Sequence, residues 1–312
     1  MKSFYKKITI FTFLLISICI GLDYMSMNDP WRMILARITN SEELISLNTG
    51  TDEIIPYIEK VQLQDNTTTL IIGDSVCHQM FQGLQQYNEN ICMAGSNAAI
   101  SMTGQYILAE EYIKNHPDAT DIYLFVLPAS LCSTFDTQWG YQYTVMPFVE
   151  TDTLKLLDQE TINIMESVYG SFFMKPQVVR IIDKSAVNRK LYLNMIADYR
   201  TGYTQKTTYE IADQYIRKIY ELCKENDVEF HLYPCPVSDS KYQYTEELKN
   251  DYDNTWLQTC FPEYFDKILV FPDEQTRDGI HFTGEYESQD YYNEKISKIF
   301  ADAELLDDLK MD

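Results

Sequence analysis

Positive charge is scarce in this 312-residue chain: 25 lysines and arginines stand against 47 aspartates and glutamates, a net charge of −22. Such a surface repels phosphate backbones, which argues against nucleic acid as a partner. It also lacks a basic patch that would adhere to anionic lipid, so any membrane attachment has to come from apolar chain. Histidine is scarcer still, with four in total, so each one in a chemical setting is informative. No cysteine spacing matches a zinc or haem pattern, and no cluster of metal ligands or phosphate-cradling glycine loop stands in the sequence. Neither a metal nor a nucleotide cofactor is therefore implied. Repeats and low-complexity tracts are absent too. What remains, at 45% hydrophobic and 23% charged residues, is an ordinary globular composition with length for one good core and an appendage.

The apolar chain is at the N-terminus. Lys2, Lys6 and Lys7 precede an uncharged run from Ile8 to Leu22. Fifteen residues is signal-peptide length and a little short for a spanning helix, which needs about 20. The exit Gly21-Leu22-Asp23 offers no small-residue cleavage pair, and Cys19 follows Ile18 rather than the small residue of a lipoprotein signal. An uncleaved signal anchor over residues 1–25 is the expectation, with a cleaved signal as the alternative. Tyr24 and Met25 extend the apolar span, and the lysines place the N-terminus inside. Both readings export the body, either anchored outside the cytoplasm or secreted. Six of the seven cysteines lie beyond the anchor. An exported even count permits a disulfide, but several sit in apolar runs where a free thiol packs as a small hydrophobe.

Residues 26–62 are polar and mixed and read as a stem. From 63 to 312 short apolar runs alternate with amphipathic segments. Strands are expected at Thr68–Ile72, Ile91–Met93, Ile122–Leu127, Val228–Tyr233 and Ile268–Phe271. Helices are expected at His78–Tyr87, Thr103–His116, Tyr209–Asn226 and Tyr286–Phe300. That alternation predicts an α/β fold with a parallel sheet covered on both faces. The aromatic-rich stretch at about 133–208 breaks the rhythm and reads as an insertion over one end of the sheet. Within it Trp139, Tyr141 and Tyr143 alternate, as in a strand with one buried face or a sugar-stacking platform. Phe172, Phe173 and Met174 fit either an acyl-binding wall or lid core.

Two segments at strand ends carry chemistry. Gly73-Asp74-Ser75 follows the first strand and opens a helix; there a serine hydroxyl is exposed beside backbone N–H groups that face a developing oxyanion. Taken alone, it reads first as a serine N-cap. Asp278-Gly279-Ile280-His281 follows the last strand; the carboxylate can hold one imidazole nitrogen while the other takes a hydroxyl proton. Taken alone, it is equally a loop histidine beside a turn aspartate. Their joint occurrence, each at its strand end, favours chemistry. His78 reads as a packing or surface histidine in preference to a pocket residue, and Cys77 is a weaker nucleophile candidate than Ser75.

GDS after the first strand and DGIHFT before the last helix resemble the SGNH (GDSL-type) hydrolase family, over roughly residues 63–132 and 209–300. The resemblance implies a flavodoxin-like three-layer α/β/α sandwich and a serine-dependent esterase or acyltransferase. In it Ser75 attacks the acyl carbonyl, His281 is general base then acid, and Asp278 orients the ring. It further implies an oxyanion hole built from the Ser75 N–H and the loop after the second strand, where Gly95 and Asn97 are the candidates. A G-x-N-D element should follow the third strand; Leu127-Pro128-Ala129-Ser130 stands there instead. Either Asn97 or Ser130 substitutes, or the hole has fewer donors, a loss that costs about 100- to 1000-fold in rate. A missing third block with an N-terminal anchor is similar to the branch that works on cell-envelope glycans, including polysaccharide O-acetyltransferases and esterases and the proteins that assist D-alanylation of teichoic acids. The expected substrate is an acyl, chiefly acetyl, ester of a surface glycan. A transferase would also need a multispanning membrane acyltransferase as partner. The competing readings are a lipase- or lysophospholipase-like esterase and a non-enzymatic glycan-binding scaffold.

Overall fold

The computed structural model describes residues 2–26, 29–39, 50–81, 89–96, 101–132, 135, 140–184, 205–252, 255–276 and 278–283. It begins with helix α1, Lys2–Ser26, in which Phe4–Leu22 is long and apolar enough to cross a membrane or to serve as a signal sequence, with none of it buried against the chain. Helices α2 (Asp29–Thr39) and α3 (Gly50–Gln62) follow. The expectation of a stem over 26–62 is corrected for its second half. Ile54, Ile58 and Val61 recur on one face of α3 and are at most 1% exposed, so this helix is a layer of the body.

Next come β1 (Thr69–Gly73), α4 (Ser75–Phe81), β2 (Ile91–Met93), α5 (Met102–Asn115) and β3 (Asp121–Val126). Beyond them lie three helices, α6 (Met146–Glu150), α7 (Gln159–Tyr169) and α8 (Pro176–Lys184), and the long α9 (Gln205–Glu225). The chain continues through β4 (Glu229–Pro234), β5 (Val237–Ser238), α10 (Asp239–Tyr252), α11 (Trp256–Cys260) and β6 (Val270–Phe271). The protein is α/β: four parallel strands in the order β2-β1-β3-β4, with flanking helices.

Alternation along these strands sends side chains to two separate cores, which is why the runs are apolar without a polar face. Leu70, Ile72, Ile122, Leu124 and Val126 join α3, α5 and α9 on one side. Ile71, Ile91, Met93, Tyr123 and Phe125 meet Val76, Cys77, Met80 and Phe81 of α4 on the other. Parallel pairing brings every strand's carboxyl end to one edge, where a ligand-binding crevice belongs.

The expected final strand departs from plan. Only Val270–Phe271 is extended, and it pairs with Val237–Ser238 in a separate two-stranded sheet. Pro234 and Pro236 mark the step at which the chain leaves β4 and enters β5. Within the aromatic-rich stretch, the expected strand is instead a π-helical turn, Tyr141–Val145. Tyr141 is fully buried and its hydroxyl donates to Phe173 O at 2.6 Å, so it offers no stacking surface. Met174 joins the core while Phe172 stays exposed. This stretch leans on the start of α5, where Phe148 would touch a Cβ at Gly104 and Thr144 Oγ1 donates to Ser101 Oγ at 3.1 Å. The cysteine side chains described, Cys19, Cys77, Cys92, Cys223, Cys235 and Cys260, are free thiols. Trp139, Asn97 and the expected helix Tyr286–Phe300 lie outside the described residues.

Candidate active site

β1 runs straight into α4, and the junction is tight enough to demand glycine. A Cβ on Gly73 would stand 2.0 Å from Phe125 O and 2.6 Å from the Cys77 side chain. Asp74 then turns its carboxylate inward, 2% exposed. Its Oδ1 accepts from the Val76 and Cys77 N–H groups at 3.1 and 3.4 Å, capping the helix. Its Oδ2 accepts from the Leu127 N–H and the Ser130 hydroxyl, each at 2.6 Å, fastening the turn after β3 to the start of α4. With Asp74 as the cap, the Ser75 hydroxyl is spared for other contacts.

Thr276 and residues 278–283 fold back at the same edge. Thr276 and Phe282 form an antiparallel bridge, and the Thr283 N–H donates to Gln275 O at 3.1 Å. Gly279 sits at the tip with φ +79°, where a side chain is strained and where a Cβ would press on Lys241. Ser238 Oγ donates to Gly279 O at 2.7 Å. Gln79, one turn along α4 from Ser75, accepts the Phe282 N–H at 3.1 Å and ties this loop to the helix.

Together these restraints bring the three side chains into line. His281 Nε2 lies 2.8 Å from Ser75 Oγ, and His281 Nδ1 lies 2.8 Å from Asp278 Oδ2. A carboxylate only accepts, so Nδ1 carries the ring proton and Nε2 is left to accept the Ser75 O–H. Asp278 Oδ1 also takes the Ile280 and His281 N–H groups at 3.0 and 2.7 Å. Burial alone would raise the Asp278 pKa. The hydrogen bonds from the His281 ring, the His281 N–H and the Ile280 N–H, together with the charge of His281, outweigh it and hold the group at about 2.

That depression has a checkable sign. A carboxyl held below its ordinary 3.8 contributes stability that is present above pH 3.8 and lost as the pH falls toward about 2. The Asp278 side chain is 46% exposed, so screening keeps this contribution small. We expect the gap in urea midpoint between the wild type and Asp278→Asn to be open at neutral pH and to close near pH 2. A gap of constant size would mean that the carboxylate is not held by these donors.

The Ser75 and Gly95 N–H groups have no partner among the described residues, although Gly95 is buried. Buried N–H groups without acceptors are uncommon, and the Gly95 loop lies against α4, where a Cβ on Gly95 would stand 3.3 Å from His78 N. Ser130, expected as a substitute oxyanion donor, is corrected: its hydroxyl is given to Asp74 and its N–H to Leu127 O at 2.9 Å. The reason is that the buried carboxylate requires donors from its surroundings. His78 Nδ1 lies 3.0 Å from Gly95 O and 3.2 Å from Tyr57 Oη, bracing the Gly95 loop against α3. Cys77 is wholly buried, and that burial, with the neighbouring Asp74 charge, pushes its thiol well up, leaving it inert as a nucleophile.

Sequence reading passed over Asp74, Gln79 and Gln105, whose Nε2 donates to Gly73 O at 3.1 Å. Only Asp74 left a signal, as the middle residue of the motif. A small apolar cavity of about 110 Å³ opens between Leu127, Pro128, Ala129, α10 and the Gly279–Ile280 turn. At the opposite end of the sheet, the β3–β4 register gathers Asp121, Glu229 and His231, with His231 Nε2 3.0 Å from Asp121 Oδ1. This grouping, spread over a hundred positions in sequence, is far from Ser75 along both strands. Comparison with known proteins returned no match: no protein-family model, curated protein or solved structure is similar to this chain.

Proposed function

We propose that this chain is an exported, membrane-anchored serine esterase or acyltransferase that works through an acyl-Ser75 intermediate. The observation that carries the reading is the unbroken relay Ser75 Oγ–His281–Asp278, with both gaps at 2.8 Å. In this mechanism His281 Nε2 takes the hydroxyl proton as Ser75 Oγ bonds to the acyl carbonyl carbon. The oxyanion is met by the Ser75 and Gly95 N–H groups. Collapse breaks the ester bond, and the imidazolium gives its proton to the departing alkoxide. Water or an acceptor hydroxyl then repeats the cycle on the acyl-enzyme. Asp278 holds the ring tautomer and faces the imidazolium charge without taking a proton.

The strand order β2-β1-β3-β4 is consistent with the flavodoxin-like arrangement of the SGNH family that the two motifs resemble. The reading takes a short acyl group such as acetyl as the one removed or transferred, in place of the extended alkyl chain of a lipase substrate. An acidic surface with an N-terminal apolar helix suits an O-acylated glycan outside the cytoplasm, and a multispanning acyltransferase would be the partner if transfer is the reaction. The test is to incubate the protein with an O-acetylated polysaccharide and with long-chain acyl esters, following acid release and the mass of the intact chain. We expect an acetyl adduct on Ser75 and preferential turnover of the short ester. A folded wild-type protein that forms no adduct with either would support the scaffold reading, which the engagement of Ser130 by Asp74 favours.

A further inference from the structure

Helix α2 is oriented the wrong way round for a helix in water. Trp31, Ile34, Leu35 and Ile38 recur at the spacing of one helical face. Trp31, Ile34 and Ile38 are 50, 43 and 75% exposed, whereas Ala36, on the other side, is 1% exposed. The helix is therefore covered at Ala36 and leaves Trp31, Ile34 and Ile38 of its apolar stripe outward, with Leu35 half-buried and Met33 also exposed. Leaving that stripe in water forfeits about 25 cal/mol per Å² of apolar surface.

Its position says what covers it. α2 begins three residues after the end of α1 and touches that helix. A bilayer crossed by Phe4–Leu22 would have its surface beside α2. Tryptophan is the residue suited to the headgroup boundary, and the exposed Arg37 flanks the stripe where its head could reach water. We propose that α2 lies in the plane of the membrane surface with Trp31, Ile34, Leu35 and Ile38 in the acyl boundary, docking the body against the lipid. The inference rests on reading α1 as an anchor. With a net charge of −22, the contact is apolar, so it needs no anionic lipid and withstands salt.

The test uses the full chain reconstituted in phosphatidylcholine bilayers whose acyl chains are brominated near the headgroup or near the methyl end. Subtracting the emission of Trp31→Phe from that of the wild type isolates Trp31 from Trp139 and Trp256. We expect this difference emission to be blue-shifted, to lose most of its intensity with shallow bromines and little with deep ones, and to be unchanged by high salt. An unquenched signal overturns the proposal, whether red-shifted because the stripe faces water or blue-shifted because a second copy or another part of the chain covers it. Alkaline extraction separates this failure from that of the anchor. A chain that stays in the membrane with Trp31 unquenched refutes the docking alone, whereas a chain released with residues 1–25 removed refutes both.

Discussion

Ser75→Ala should lower turnover of an acyl ester by at least about 10³-fold and abolish covalent labelling by a fluorophosphonate, while leaving the fold intact. In the proposed mechanism the Ser75 hydroxyl oxygen forms the acyl bond, and its hydrogen bond runs to His281 Nε2 at 2.8 Å. The second half of the expectation separates chemistry from capping. Were Ser75 the N-cap of α4, removing its hydroxyl would cost about 0.5–2 kcal/mol. The Val76 and Cys77 N–H groups are instead satisfied by Asp74 Oδ1, so the variant should melt within about 0.5 kcal/mol of the wild type. Labelling that survives in Ser75→Ala would sink the nucleophile assignment. A large fall in stability with labelling already absent in the wild type would restore Ser75 to a purely structural role.

Much of this site could be read from the sequence because its parts are local. Gly73-Asp74-Ser75 and Asp278-Gly279-Ile280-His281 are each contiguous, and a parallel sheet sends both strand ends to one edge. The four strands of the main sheet were legible for a related reason: burial on both faces leaves an unbroken apolar run, as in Ile122–Val126. What escaped is what depends on distant partners. The apolar face of α3 is a weak pattern until α5 packs on it, so it looked like a stem. β6 has the composition of a strand, yet it pairs with Val237–Ser238 and not with β4, a choice of partner that its own residues do not state. Ser130 had the right chemistry for an oxyanion donor, but a buried aspartate 56 positions earlier claims its hydroxyl. The bond from Phe282 N–H to Gln79 spans 203 positions and has no local signature at all.

Asp74 is therefore where the second large effect belongs. Asp74→Asn keeps shape and volume but turns one acceptor oxygen into an NH₂ group. Whichever way the amide sits, that NH₂ faces two donors. If the oxygen stays on the helix side, the Leu127 N–H and the Ser130 hydroxyl lose their acceptor; if it flips, the Val76 and Cys77 N–H groups do. Each stranded buried donor costs about 1–3 kcal/mol, so a loss of about 2–6 kcal/mol is expected in urea unfolding. The Leu127 bond also fixes the turn after β3 relative to Ser75, and a displacement of about 1 Å at a reacting centre costs about 10²-fold in rate. Ser130→Ala should be much milder, near 1 kcal/mol, because the carboxylate keeps its three backbone donors. That ordering is diagnostic. If Asp74→Asn and Ser130→Ala lost equal stability and activity, the carboxylate would be no more than a partner for one serine. The large gap expected between them follows from a single buried side chain holding both the helix that presents the nucleophile and the loop that faces it.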